Sequence, residues 1–139
     1  MTDTLVEARD LTKHFPLPQS LRDTLTRSPK EVVHAVDGVS LEIRTGETLG
    51  LIGESGSGKT TLGWLIARLY EPTSGTIHVQ GRDVTHLSER ALRPLRREVQ
   101  VVFQDPVGSL DPRLRAWQIV GEPLRAQEAL SRETIRKRV

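Results

Sequence analysis

The chain has 139 residues, with 20 Lys and Arg against 18 Asp and Glu, a net charge of +2 and no Cys. This length allows at most one modest domain, and the lack of Cys excludes disulfides, thiolate metal sites and cysteine nucleophiles. No run approaches the roughly 20 apolar residues of a membrane-spanning helix, and Met1–Thr4 lacks the basic start of a secretion signal. The sequence therefore predicts a soluble, cytoplasmic protein.

Basic residues gather in two clusters, one between Arg90 and Arg97 and one between Arg132 and Arg138. Such clusters can bind nucleic acid or an anionic membrane surface. More often they are solvated helix faces, and here no aromatic residues interleave with them for base stacking. We expect no nucleic acid partner and keep nucleic acid binding as the minor alternative.

The N-terminal part contains short runs with the alternation typical of strands. These runs predict strands over residues 5–9, 32–36 and 39–43. Asp37 and Gly38 predict a turn between the last two runs, and the polar, proline-marked residues 17–30 predict a surface insertion. We expect an antiparallel β layer interrupted by a loop.

The most informative segment is Gly53–Thr60, which fits the pattern G-x-x-x-x-G-K-[ST]. The apolar run before it predicts a buried strand over residues 48–52, and residues 61–69 predict a helix with a broad apolar face. A glycine-rich turn that only caps a helix is the alternative, but it does not require the four fixed positions of the motif. The strand, loop and helix together predict a phosphate-binding loop.

The residue types of this loop suit an anion. Glycines at 53, 56 and 58 permit positive φ, so that consecutive N–H groups can turn toward the α- and β-phosphates of a nucleotide. The helix dipole adds to the attraction. We expect Lys59 to reach the β- and γ-phosphates and the Thr60 hydroxyl to ligate magnesium.

The remaining elements alternate between strands and helices. We predict a strand over 76–79, a tight turn over 80–83, a helix over 89–92 and a buried strand over 99–103. Ser88 is placed to cap the helix, and Pro94 limits its length. From Trp117 onward the pattern predicts short amphipathic helices broken at Gly121 and Pro123.

Other candidate chemistry is weak. The four histidines, which lack metal-ligand spacing, are expected on the surface or on strand faces: His14, His34, His78 and His86. Trp64 and Trp117 are expected to pack rather than to form ligand platforms. Ser55 and Ser57 show no sign of an activated triad, which disfavours a covalent hydrolase.

Four segments carry a family resemblance: residues 46–62 (GETLGLIGESGSGKTTL), 71–75 (EPTSG), 102–106 (VFQDP) and 109–113 (SLDPR). They resemble the ATP-binding subunits of ABC transporters, and most of all the oligopeptide and dipeptide importer branch. The match runs in order from about Leu5 to the C-terminus. Residues 102–106 and 109–113 are more specific to this branch than the phosphate-binding loop alone.

The resemblance implies an α/β P-loop NTPase fold of the ABC type, with an N-terminal antiparallel β layer, that binds ATP and Mg²⁺. It makes Gln104 the glutamine that touches magnesium and the γ-phosphate region, which gives a catalytic pair of Lys59 and Gln104 and a metal pair of Thr60 and Gln104. It makes Phe15 the aromatic that stacks on adenine, for which a flat apolar ring is suited. The implied nucleotide-binding residues are Phe15, Gly53, Glu54, Ser55, Gly56, Ser57, Gly58, Lys59, Thr60 and Thr61. Without the resemblance, Gln104 is a strand-end glutamine and Phe15 a packing residue.

The implied partners are transmembrane permease subunits, a second ATP-binding subunit and, indirectly, an extracytoplasmic solute-binding protein. The implied location is cytoplasmic, on the inner face of the cell membrane, and the implied function is ATP-driven uptake of peptides or similar solutes. In this interpretation residues 1–139 are the N-terminal portion of an ATP-binding domain, with 114–139 beginning its helical subdomain. Val107, Leu110, Leu114 and Trp117 offer apolar contact to a permease, or else pack internally.

The chain also departs from the family pattern. Beyond residue 113 we find no Leu-Ser-Gly-Gly-Gln signature, no apolar strand ending in Asp-Glu and no later switch histidine. Hydrolysis needs a carboxylate near magnesium, a group that orients water and charge stabilisation at the γ-phosphate. The fold is therefore expected to be incomplete at its C-terminal side. A nucleotide-binding module without turnover, and a soluble ABC-type ATPase acting on nucleic acid or ribosomes, remain alternatives.

Overall fold

The computed structural model describes residues 3–18, 31–128 and 130–139. It divides the chain into two compact units, Met1–Leu92 and Arg93–Val139. The predicted insertion over 17–30 lies mostly outside the described residues. The first unit holds a sheet and the helix that follows the glycine-rich loop, and the second holds short helices and turns.

The sheet of the first unit has four strands, which are β1 (Thr4–Pro16), β2 (Val32–Arg44), β3 (Ser74–Val79) and β4 (Arg82–Asp83). They are arranged in the order β2-β1-β3-β4, and every neighbouring pair is antiparallel. This confirms the predicted antiparallel layer. Gln80 and Gly81, with φ of 50° and 74°, form the two-residue turn between β3 and β4. The predicted turn over 80–83 was thus too long, because Arg82 and Asp83 already pair with β3.

Strands β1 and β2 are longer than predicted, and the turn predicted at Asp37 and Gly38 is wrong. Both residues lie inside β2, which runs without a break from Val32 to Arg44. Gly38 has φ +64°, and the register between the two strands shifts between Leu11 and Lys13. Glycine in the left-handed region accommodates an irregularity within a ladder, so the Asp-Gly pair bends the strand instead of ending it.

The core of the first unit lies between the sheet and α1 (Lys59–Ile66). Leu11 and Ile77 from the sheet and Leu65 from the helix are fully buried. The helix begins two residues earlier than predicted and ends at Ile66 rather than near residue 69. Arg68, with φ +52°, turns the chain out of the helix. Its buried guanidinium donates to the carbonyl oxygens of Val84 at 2.8 Å and Tyr70 at 2.9 Å, which fixes the turn.

Two predicted buried strands are wrong. Residues 48–52 and 99–103 have no regular secondary structure, and Ile52 and Val102 are 100% and 91% exposed. An apolar run becomes a strand only where a neighbouring strand satisfies its N–H and C=O groups. Among the described residues the strand pairings involve β1 to β4 alone, so neither run has such a neighbour there.

The predicted helices are present as short segments, which are α2 (Glu89–Leu92), α4 (Ala116–Val120), α5 (Glu122–Gln127) and α6 (Arg132–Arg138). A further short helix that was not predicted, α3 (Leu95–Glu98), follows Pro94. The Ser88 hydroxyl accepts from the Ala91 N–H at 3.4 Å, as the capping prediction requires. Gly121 separates α4 from α5, also as predicted, whereas the break predicted at Pro123 is wrong, since this residue lies in the first turn of α5. Within the described ranges no helix is long and apolar enough to cross a bilayer.

Candidate nucleotide site

The glycine-rich loop precedes α1 and is shaped by two left-handed glycines. Gly56 and Gly58 have φ of 82° and 87°, as the sequence predicted. Gly53 does not adopt positive φ, and its contribution is space, since a Cβ there would meet the Ser57 hydroxyl oxygen at 2.9 Å. The prediction that all three glycines provide positive φ is therefore wrong for Gly53. Gly56 and Gly58 thus provide the left-handed backbone of the loop, and Gly53 leaves room for the Ser57 hydroxyl.

Lys59 folds back over this loop. Its Nζ donates to the carbonyl oxygen of Gly53 at 2.8 Å, to the Ser57 hydroxyl at 3.2 Å and to the carbonyl oxygen of Glu54. The ammonium group is therefore held within the curve of the loop, although its residue begins the helix. This position puts a full positive charge where the sequence predicts phosphate oxygens.

The start of α1 adds a second source of positive potential. The first N–H groups of a helix have no intrahelical partner, and the helix dipole makes this end positive. The first turn of α1 contains no acidic residue that would offset it. Thr60 is exposed in this turn and Thr61 is half-buried, so the Thr60 hydroxyl is accessible for a ligand role. Glu54 and Ser55 lie on the exposed part of the loop.

The loop rests on strand β2. Gly58 lies so close to Ala35 that an added Cβ would overlap the Ala35 carbonyl oxygen. Two residues along the same strand, Val33 pairs with Phe15 at the end of β1. Since two strand residues span about 6.6 Å, Phe15 and the loop adjoin the same part of the β1–β2 ladder.

Phe15 sits in an aromatic cluster that the sequence did not predict. Its half-buried ring meets Tyr70 edge to face, with centroids 5.5 Å apart, and Tyr70 meets Trp64 in the same way at 5.2 Å. The Lys13 ammonium lies 5.1 Å from the Phe15 centroid. At this distance the ammonium is attracted by the quadrupole of the ring, which is a cation–π interaction. The sequence shows that these aromatic residues are present but not that they touch. The contacts depend on the turn after α1, which places Tyr70 between Phe15 and Trp64.

Gln104 belongs to the second unit, where it lies on an exposed bend. The turn after it is tied together by Asp105, whose Oδ1 accepts from the Gly108 N–H at 2.9 Å and whose carbonyl oxygen accepts from the Ser109 hydroxyl at 2.6 Å. The predicted strand would have ended at Gln104, whereas here the residue opens a compact turn.

An ion pair lies in the next segment. The Arg113 guanidinium donates to both carboxylate oxygens of Asp111, at 2.9 and 2.8 Å. These hydrogen bonds, with that of the Arg113 N–H, lower the pKa of Asp111. The segment that carries the branch-specific resemblance therefore contains a local contact between its own polar side chains.

Comparison with known proteins shows which family the chain is similar to. The family model described as ABC transporter matches residues 36–138. A probable peptide ABC transporter ATP-binding protein of Sinorhizobium fredii is 47% identical over 95% of this chain and 36% of its own length. The dipeptide transport ATP-binding protein of Escherichia coli is 40% identical over 96% of this chain and 39% of its own. The chain thus spans little more than a third of these relatives.

A solved structure agrees with these relatives. A dimeric ATP-binding cassette in a post-hydrolysis state, bound to ADP and Pi, aligns with a TM-score of 0.73 and 30% identity over 96% of this chain and 53% of that one. The fold is therefore that of a P-loop NTPase of the ATP-binding cassette type, present in part. The match over residues 36–138, together with the loop geometry, places this chain in the ABC transporter family.

Proposed function

We propose that the chain binds ATP with magnesium through residues 53–61, with Lys59 and Thr60 in contact with phosphate and metal. The observation that carries this proposal is the Lys59 ammonium, held by loop oxygens at 2.8 and 3.2 Å beside the two left-handed glycines. Phosphate oxygens would replace these loop oxygens as partners of the ammonium. Magnesium would be held by the Thr60 hydroxyl and by phosphate, and would neutralise the charge of the nucleotide.

The test is ATP affinity of the Lys59→Ala variant, measured by calorimetry with magnesium present. Hydrogen bonds to a charged group are worth about 1.5–3 kcal/mol, so we expect affinity to fall by about 10- to 100-fold. Lys137→Ala is the matched control, because Lys137 is an exposed lysine paired with Glu133 on α6 at 2.8 Å. Equal affinities of the wild type and the Lys59 variant, both folded by circular dichroism, would refute the assignment.

We further propose that the protein to which this chain belongs is the ATP-binding subunit of an importer of peptides or similar solutes. The support is the names of its relatives, which include a peptide and a dipeptide transport ATP-binding protein. A permease in the membrane, a second ATP-binding subunit and a solute-binding protein would complete the assembly. The dimeric state of the aligned cassette supports the second subunit. The subunit would then lie on the cytoplasmic face of the membrane.

The segment after Gln104 is our candidate for contact with the permease. Val107 is 78% exposed and Leu110 is also exposed, while Leu114 and Trp117 are half-buried. Trp117 is further covered by the Arg132 guanidinium, whose carbon lies 5.3 Å from the ring centroid. The exposed pair thus offers apolar contact, and the other two belong more to the packing of the second unit.

A further inference from the structure

The pairing of β1 with β2 brings together three potential metal ligands that are distant in sequence. His14 lies directly opposite His34 in the antiparallel register, and their ring centroids are 3.9 Å apart with an interplanar angle of 48°. Asp37, three residues along β2, turns its carboxylate toward both rings. His14 and His34 lie on strand faces, as predicted, but spacing along the chain does not reveal that the two strands pair them.

The ligand atoms of these residues are close enough to share one ion. His14 Nε2 is 3.9 Å from one Asp37 carboxylate oxygen, and His34 Nδ1 is 4.0 Å from the other. One atom from each of the three residues lies within 4.8 Å of the others. Tetrahedral zinc with bonds of about 2.0–2.1 Å places its ligands about 3.3 Å apart. The two histidine–carboxylate distances exceed this spacing by about 0.6–0.7 Å, and the limit of 4.8 Å on all three atoms exceeds it by about 1.5 Å. The side chains therefore need to rotate inward, and that of Asp37, 73% exposed, has room to do so.

One ring nitrogen of His14 lacks a polar partner. Its Nε2 is buried and has no hydrogen-bond partner in the part of the chain that the structure describes. A buried polar nitrogen without a partner is unfavourable. The Asp37 oxygen at 3.9 Å is too far for a hydrogen bond. A cation seated between the two would satisfy the nitrogen and draw the carboxylate inward.

The chemistry of the ligands selects the ion. Two imidazole nitrogens and one carboxylate suit Zn²⁺ and similar transition metals, whereas Mg²⁺ and Ca²⁺ prefer oxygen ligands. We propose that His14, His34 and Asp37 form a binding site for Zn²⁺, with solvent in the fourth position.

The position of this site gives it a structural consequence. Ala35, whose carbonyl oxygen lies against Gly58 of the glycine-rich loop, follows His34 directly in β2. A metal bound there would join β1 to β2 beside the strand segment that supports the start of α1. Since it would bind only the folded chain, Zn²⁺ is expected to raise the melting temperature.

The test is a zinc titration of the untagged 139-residue chain, stripped of metal and free of nucleotide, in competition with a chromophoric chelator. We expect one equivalent of zinc to bind. His34→Gln and Asp37→Asn should each lower the zinc affinity at least about tenfold, because losing even a residue that only hydrogen-bonds to a metal ligand costs about that much. Both residues are exposed, so these variants are expected to fold. Co²⁺ should give a visible absorption band in the wild type that both variants lose.

His86→Gln is the matched control. His86 is an exposed histidine 2.9 Å from the carboxylate of Glu71, so it offers a histidine and carboxylate pair outside the cluster of three. Its substitution should leave zinc affinity unchanged. Zinc affinity that is equal in wild type and His34→Gln, or that falls equally in His86→Gln, would overturn the proposal. The absence of nucleotide separates this result from the outcome of the ATP experiment.

Discussion

Gly58 shows how a single residue can join the loop to the sheet. Its left-handed backbone, φ +87°, is one constraint, and its closeness to the Ala35 carbonyl oxygen is a second. The sequence predicted the first constraint from the loop motif. It could not predict the second, because the contact is with a strand more than twenty residues earlier in the chain. The glycine is therefore fixed by the fold as well as by nucleotide chemistry.

Substituting Gly58 with Ala should expose both constraints. A left-handed alanine costs about 1–2 kcal/mol, and forcing a methyl group against packed backbone costs about 1–3 kcal/mol more. Gly81→Ala is the control, since Gly81 has φ +74° but open space around it. Urea denaturation should show the larger loss of unfolding free energy in the Gly58 variant. Equal losses would mean that the loop moves away from Ala35 at little cost.

At the scale of elements, the sequence predicted well wherever local patterns decide the outcome. The antiparallel layer, the helix after the loop and the helices around Gly121 were predicted, with errors at their ends. α1 ends at Ile66, and Arg68 just beyond it donates a buried hydrogen bond to the carbonyl oxygen of Val84, which is distant in sequence, so no local pattern encodes this contact. The failures at 48–52 and 99–103 share one cause, since a buried strand depends on neighbours that its own residues do not specify.

Amide hydrogen exchange should distinguish the paired strand β1 from the two apolar runs at 48–52 and 99–103. In the 139-residue chain we expect the amides of residues 48–52 and 99–103 to exchange at least about tenfold faster than those of Val6 to Ala8 in the first half of β1. The reason is that β1 is paired on both sides, by β2 and β3. Mass spectrometry of peptic fragments gives the rates, corrected for each peptide's intrinsic exchange. Comparable protection in both groups would show that the apolar runs pair in solution.

At the scale of the whole molecule, the two units hold different parts of the proposed function. The glycine-rich loop and Phe15 belong to the first unit, and Gln104 with the exposed residues after it belongs to the second. The sequence located both through motifs, because residue type and order carry that information. It did not locate the histidine and aspartate cluster, which exists only through strand pairing.

The proposed function requires coupling between nucleotide and permease, and Gln104 is the residue through which we expect this coupling to pass. An amide that senses the γ-phosphate region and begins a surface turn can bias the partner according to nucleotide state. The test uses a version that carries a complete ATP-binding domain, assembled with a permease in vesicles. There Gln104→Ala should leave ATP affinity within about twofold, since binding depends mainly on the loop and Lys59. It should reduce substrate-stimulated hydrolysis and uptake at least about tenfold.

Gln100→Ala is the matched control for that experiment. Gln100 is an exposed glutamine four residues earlier, and its amide donates to the Arg96 carbonyl oxygen at 2.5 Å, a contact local to the second unit. Its substitution should change neither uptake nor hydrolysis. If Gln104→Ala retained normal stimulated hydrolysis and uptake, the coupling role of this segment would have to be abandoned. If ATP affinity fell together with hydrolysis and uptake, Gln104 would instead be assigned to nucleotide binding. An interaction that is equally strong in the ground state and the transition state contributes to affinity and not to the rate of the chemical step.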